Sequence, residues 1–301
     1  SSSYLFILIL ILAASLRFYG LDWDQGLYLH PDERAIIMFT TPLTFPQTVE
    51  EFLSPKSPLN PHFFAYGNFP LYLLKIISSI VSNFGVEFST YAKMYLVGRF
   101  ISVLTDVGTL ILLFLIGKRI GGKVVGLLAS FFYALAVFPI QTSHFFAVDI
   151  LLTFFIISTL YRMLIFYEKP SVRNAVFVGI CFGLSLVTKV SATVLVVSIF
   201  STIIADFLLI VLKSPRKISV WSPILPSFLK RLIKDGFVIG VTTIITFSLL
   251  QPYAIIDFQD FLKQNLLQSR MTHDAYTFPY TLQYVDKIPY FYELKNVFFW
   301  G

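Results

Sequence analysis

Residues 145–166 read FFAVDILLTFFIISTLYRMLIF. As a helix rising about 1.5 Å per residue, this run is long enough to cross the roughly 30 Å hydrocarbon core of a bilayer. Comparable runs lie at Met94–Gly117, Val124–Ile140, Ala175–Val187, Ser191–Leu212 and Phe237–Tyr253, and Tyr4–Phe18 brings the expected spans to seven. The first is short for a span, so residues upstream of Ser1 are expected. A cleaved signal peptide is the rival reading, but no small-residue cleavage site precedes Leu21-Asp22-Trp23-Asp24.

Composition agrees with a multi-pass, all-α integral membrane protein. With 56% hydrophobic and only 13% charged residues, and a mean hydropathy of +0.76, the chain is too apolar for a soluble globular domain. The net charge of +6 does not point to a nucleic-acid partner, because the bases sit in short loops between apolar runs, where they set topology. The single cysteine, Cys181, lies inside an apolar run and excludes both an intrachain disulfide and a cysteine-based metal cluster.

Those bases orient the chain. Lys118, Arg119 and Lys123 share one loop, Lys169 and Arg173 a second, and Lys213, Arg216, Lys217, Lys230, Arg231 and Lys234 a third. All three fall on one side, the cytoplasmic one, provided that Leu71–Val81 does not cross. That segment is too short to span and carries Lys75 and Ser78-Ser79, so it reads as an interfacial helix. The opposite face then receives a long loop over about residues 20–93, the Gln141–His144 turn, Lys189 and everything after Gln251. Residues 1–256 form the expected transmembrane catalytic module. Residues 257–301 form an extracytoplasmic segment, with further spans expected beyond it.

Chemistry-bearing residues cluster on that outer face. Leu29-His30-Pro31-Asp32-Glu33-Arg34 puts two adjacent carboxylates at the mouth of the first span, which is costly unless they serve a purpose. Gln141 to Asp149 turns between two spans, placing Asp149 about one helical turn inside the second, with His144 close by. A carboxylate there either caps the helix, pairs with a base or lines a polar cavity. Lys189, between two apolar runs, either snorkels to head groups or binds phosphate. Arg99, with Asp106 two turns further in, pairs with a carboxylate or with phosphate. Arg270 and His273 would face the same way if their segment is helical. The sequence contains no GxxxxGK[ST], no GxGxxG after a strand and no HExxH, which removes ATP-driven and zinc-protease readings.

Four motifs in this order, HPDER (30–34), YGNFPLYLL (66–74), SHFFAVD (143–149) and TKVSA (188–192), resemble the GT-C glycosyltransferases. The likeness is to the branch containing protein O-mannosyltransferases and the lipid A aminoarabinose transferase, and in layout it covers nearly the whole chain. The resemblance implies transfer of a sugar from a polyprenyl- or dolichyl-phosphate donor to a lipid, glycan or protein hydroxyl at the extracytoplasmic or lumenal face. By the same resemblance Asp32 is the base, Glu33 its support and Asp149 a cavity residue. Lys189 is the first choice for the donor phosphate, followed by Arg270 and Arg99, with His30, His144 and His273 as further cavity residues. The first-loop Glu that binds metal in the aminoarabinose branch is absent from Tyr66-Gly67-Asn68-Phe69-Pro70. No cofactor follows for certain from the resemblance; a divalent cation stays open, with Asp32, Glu33, Asp149 and His273 as candidate ligands. A single displacement would invert the anomeric centre. Membrane lipids surround the chain, and the plasma membrane of a prokaryote is favoured over the endoplasmic reticulum. Two other classes stand beside this one: a secondary transporter or lipid flippase relaying ions through Asp149 and Asp106, and an assembly subunit in which Asp32-Glu33 is dispensable.

Overall fold

A computed structural model describes residues 2–213, 224–271, 273–288 and 291–300, and among them every regular element is helical. Helix α1 is Ser2–Phe18; α2, α3 and α4 (Pro31–Thr40, Val49–Phe52 and Phe69–Ser82) belong to the long loop. The bundle continues with α5 (Met94–Leu135), the short α6 (Val137–Thr142), α7 (Val148–Glu168) and α8 (Val172–Thr188). A 3₁₀ turn, Val190–Val194, leads into α9 (Leu195–Lys213), and α10 (Leu225–Leu250) completes the apolar set. The short α11 (Tyr253–Ile256), α12 (Phe258–Met271), a 3₁₀ turn at Pro279–Tyr284 and α13 (Phe291–Trp300) follow.

By length and composition α5, α7 and α10 can cross a membrane, and the pair Val190–Ala205 and Phe207–Lys213, bent by 59°, adds a fourth candidate. Ser3–Phe18, Phe69–Ser82 and Val172–Thr188 are shorter apolar helices. The 42 residues of α5 would extend about 63 Å if straight, twice what a bilayer needs. They are not straight: Gly122 leaves the helical region (φ 81°, ψ −176°), and Gly117 packs directly on Gly126, where an added Cβ would come within 2.9 Å of the Gly126 Cα. The element is therefore a helical hairpin, its turn holding Lys118, Arg119 and Lys123. Its second limb stops at Leu135 rather than Ile140, because Ala136 is extended (ψ 126°) before α6 begins.

Small residues bring the other helices together, as expected where lipid offers no hydrophobic drive for association. Gly179 and Gly183 of α8 lie against Thr242, Thr243 and Thr246 of α10, and Thr243 Oγ1 donates to the Gly179 carbonyl at 3.1 Å. Along the α1–α5 contact, Arg17 is fully buried and ion-pairs with Asp106, which also accepts from the Tyr133 hydroxyl. Three more guanidinium bonds go to the carbonyls of Ala13, Ala134 and Tyr133, so this buried charge is fully partnered. Lys230, Arg231 and Lys234 fall in the early turns of α10, while Arg216 and Lys217 lie outside the described residues.

The long loop is a packed layer over one end of this bundle. Helices α2 and α4 bury Ile36, Ile37, Leu71 and Leu74 against Met94, Val97 and Ile101 of α5 and Val148 and Leu151 of α7. Helix α4, which contains Leu71–Val81, spans 14 residues and buries Pro70, Leu71, Leu74 and Ser78.

Candidate functional site

The HPDER stretch is a helix start rather than a loop. His30 caps α2, accepting from the Glu33 amide at 3.4 Å; Pro31 occupies the first helical position, and both acids lie in the first turn, where the positive helix terminus favours them. Successive helical residues point about 100° apart, so Asp32 and Glu33 point in different directions. Glu33 turns inward and is fully buried, whereas Asp32 is half-buried at the rim.

Glu33 receives a forked pair of bonds from Arg99, Nε to Oε1 at 2.9 Å and Nη2 to Oε2 at 2.7 Å, and accepts from the Phe146 amide at 2.9 Å. The same guanidinium reaches Asp24 at 2.9 Å and the Leu21 carbonyl at 2.7 Å, with Tyr95 and Trp23 ring centroids at 4.7 and 5.4 Å. All three charged side chains have zero exposure, which leaves a donor phosphate no approach to Arg99. Of the two partners expected for it, the carboxylate is the one present. Burial raises the Asp24 carboxyl pKa, but hydrogen bonds from Arg99 and the Leu29 and Gly26 amides outweigh it and leave it lowered, so Asp24 is ionised. This cluster fastens the first long loop, α2, α5 and the turn before α7 to one another.

The grip on Phe146 also moves Asp149. Phe145 is held by Ser102, which donates to its carbonyl at 3.0 Å, and Gly98 lets Phe146 lie where any Cβ would stand 2.7 Å from it. Ala147 is consequently extended and α7 begins at Val148, not Phe145. Asp149 thus lies in the first turn instead of a turn inside the span. It is 56% exposed and pairs with Lys189 Nζ at 2.9 Å.

Tyr66 joins the two halves. Its hydroxyl lies close enough to the Asp32 carboxylate to feel its charge, and Lys189 Nζ lies 6.0 Å from its ring centroid. Burial, then the Asp32 charge, pushes its pKa well up, so it is a proton donor toward the carboxylate at neutral pH. The neighbouring Gly67 amide donates to the Thr188 carbonyl at 3.0 Å, and a Cβ on Gly67 would fall 1.7 Å from the Val187 carbonyl oxygen. Gly67→Ala is expected to cost about 1–3 kcal/mol by forcing these strands of chain apart. Thermal unfolding of the purified variant measures this, and a melt equal to that of the parent would refute the contact.

Lys189 also lines a cavity of about 860 Å³ with Ala65, His273, Tyr280, Lys287 and Tyr292. Asp32 does not line it, but its charge raises the pKa of one lining residue, Tyr280, in second place after burial. Burial against Phe145, stacked at 3.8 Å, lowers the His30 pKa despite the surrounding carboxylates, leaving a neutral imidazole.

Other expected members lie apart. His144 is a brace, its ring nitrogens 2.7 and 2.8 Å from the carbonyls of Ile140 and Tyr19. Helix α12 ends at Met271, so Arg270 and His273 do not share a helical face; Arg270 is exposed and does not line the cavity. The candidate metal ligands Asp32, Glu33, Asp149 and His273 do not assemble: Glu33 is sealed by Arg99 and Asp149 is taken by Lys189. Among the described residues the His and acid ligand atoms that do converge belong to His62, Asp257 and Asp260. The roles of Tyr66, Asp24 and Lys287 are missing from the sequence reading. Tyr66 alone had a signal, its place in the YGNFPLYLL motif.

An apolar helical bundle carrying an ionic site at one end has the layout of an integral membrane protein. The family model for dolichyl-phosphate-mannose-protein mannosyltransferases matches residues 70–229, just over half of the chain, and the chain belongs to that family of glycosyltransferases. Its fold is similar to a chain in the solved "S. cerevisiae protein O-mannosyltransferase Pmt1-Pmt2 complex bound to the sugar donor", with a TM-score of 0.55 at 19% identity. The match covers 86% of this chain but 34% of the yeast chain, so this chain spans about a third of its length. No curated protein matched in sequence.

Proposed function

We propose that this chain transfers a mannosyl group from a dolichyl- or polyprenyl-phosphate donor to an acceptor hydroxyl on the extracytoplasmic face, with Asp32 as the general base. The observation that carries the reading is the convergence of Asp32, Tyr66, Lys189 and Asp149 at one end of the bundle, beside the cavity. Seven spans, counting the α5 hairpin as two, would set this end opposite the basic loops.

In the proposed step the acceptor oxygen bonds to the anomeric carbon while its proton passes to the Asp32 carboxylate. The bond from that carbon to the phosphate oxygen breaks, and the lipid phosphate leaves with the electron pair. One displacement inverts the anomeric centre. Tyr66 holds Asp32 in place. Lys189 faces the departing phosphate, and its pairing with Asp149 keeps the ammonium at the cavity wall until the donor arrives. The acceptor, whether protein, glycan or lipid, meets the donor from the aqueous side. The residues expected to hold a metal do not converge around this cavity, so no step is assigned to one.

The transporter or flippase reading has less support. An ion relay needs carboxylates free to exchange protons or cations, whereas Asp106 is locked to Arg17 and Tyr133, and Asp149 is held by Lys189.

Lys189→Gln is the experiment that tests the phosphate assignment. Transfer from labelled mannosyl-phosphodolichol should fall about 10–100-fold, less than for a fully enclosed donor group, because Lys189 is 34% exposed. Unchanged kinetics in the variant would remove Lys189 from the site.

A further inference from the structure

The end of the bundle away from the Lys189 cavity gathers the basic loops. Arg119, in the turn of the α5 hairpin, ion-pairs with Glu168 at the end of α7, and the residues just after Glu168 open a second cavity against the first turns of α10. Helix α8, 17 residues and about 25 Å long, separates this cavity from Lys189. Gly179 and Gly183 of α8 meet Thr242 and Thr246 of α10 in the same order, so the two helices run parallel and the turns of α10 before Asp235 project beyond the start of α8.

The second cavity, of about 360 Å³, is lined by Ser171 on one wall and by Ser227, Lys230, Arg231, Lys234 and Asp235 on the other. Its charge is lopsided: three bases stand around one carboxylate. Asp235 is buried, 3.5 Å from Arg231 Nε and 3.7 Å from Lys234 Nζ. Lys230 and Lys234 are exposed, and one helical turn apart on the same face they repel each other. An anion seated between them turns that repulsion into attraction. Ser171, which caps α8, accepts from the Asn174 amide at 3.2 Å, so its hydroxyl proton serves as a donor.

An apolar stripe runs beside the bases. Leu229, Ile233 and Phe237, spaced four apart on α10, are all exposed. They lead from the cavity toward the middle of the helix, the path an acyl chain would follow from a phosphate held at Lys230 and Lys234. A soluble anion would have no use for such a stripe.

We propose that this cavity binds the phosphate of an anionic glycerophospholipid. Lys230, Arg231 and Lys234 supply the cations, Ser171 a hydrogen bond, and Leu229, Ile233 and Phe237 the track for an acyl chain. The volume is at the small end for ligand cavities, which suits a headgroup whose chains stay outside. Bound there, the lipid ties the α7–α8 turn to the start of α10. The site depends on these helices being embedded in a membrane and not on the glycosyl-transfer reading.

Native mass spectrometry of the purified chain, released from a neutral detergent with dioleoylphosphatidylglycerol or dioleoylphosphatidylcholine added, tests this. One phosphatidylglycerol per chain should be retained at concentrations where phosphatidylcholine is not. A basic residue beside an anionic headgroup contributes about 5-fold in affinity, so Lys230→Gln should weaken retention about 5-fold, and Lys230→Gln with Lys234→Gln about 30-fold. The pair Lys118→Gln and Lys123→Gln removes the same charge from the same end of the bundle and should leave retention as in the parent. Should the Lys230 and Lys234 double variant not fold, as judged by circular dichroism, Lys230→Gln alone decides. Equal retention of both lipids by the parent, or equal losses in the two double variants, would overturn the proposal. Displacement of the lipid by millimolar inorganic phosphate would overturn it too, and make this a site for a soluble anion.

Discussion

Asp32→Asn is expected to lower kcat for mannosyl transfer about 10³-fold while leaving the protein folded and donor binding nearly intact. The size follows from the 10²–10⁴-fold that a positioned general base contributes. The amide keeps the shape of the side chain and a carbonyl acceptor for Tyr66, yet cannot take the acceptor's proton. Because Asp32 is half-buried at the rim and makes none of the buried ion pairs, its removal should leave the thermal melt close to that of the parent. Steady-state kinetics with the donor varied would separate kcat from KM. A variant that transfers at the parental rate would exclude Asp32 as the base.

Arg99→Met is expected to act through the fold. Removing the guanidinium leaves Glu33 and Asp24 buried without their cation, a change that typically costs about 3–5 kcal/mol. Arg99→Lys should rescue little, since an ammonium cannot reproduce the forked contact with Glu33 or the simultaneous reach to Asp24 and the Leu21 carbonyl. In the double variant Glu33→Gln with Arg99→Met, one of the two stranded charges is gone, so part of the loss should be recovered. Thermal unfolding of the three variants and the parent in one detergent makes the comparison. Equal melts for Arg99→Met and the parent would mean that the cluster is not what fastens α2 to α5.

These two substitutions show which part of the site was legible in the sequence. Apolar periodicity located the helices, and the distribution of lysine and arginine assigned Asp32, Asp149 and Lys189 to one face. The structure brings them near one another through Tyr66. Adjacency misled for Glu33. Read as a pair on a loop, Asp32 and Glu33 share a role. As the second and third residues of a helix that Pro31 opens, they point in different directions, one to the rim and one to the core. The signal for the helix start was present in His30-Pro31-Asp32-Glu33, since proline at the first helical position with acids behind it is how many helices begin.

Other features had no local signal. The start of α7 moved because Glu33, more than a hundred residues away, holds the Phe146 amide. The pairing of Arg99 with Asp24 and Glu33, and the meeting of His62 with Asp257 and Asp260, depend on chain segments that only the folded bundle brings together. The break at Gly122 differs from these: the sequence reading ends one apolar run at Gly117 and starts the next at Val124, and Gly122 leaves the helical region between them.

The central claim is that a lipid-phosphate sugar is consumed at the end of the bundle where Asp32 and Lys189 meet. Its most direct measurement is a transfer assay in proteoliposomes with radiolabelled mannosyl-phosphodolichol and an acceptor supplied in the aqueous phase. The parent protein should move label from the lipid to the acceptor, with Asp32→Asn doing so about 10³-fold more slowly. Label that stays on the lipid with the parent protein, and only crosses from one leaflet to the other, would contradict the account.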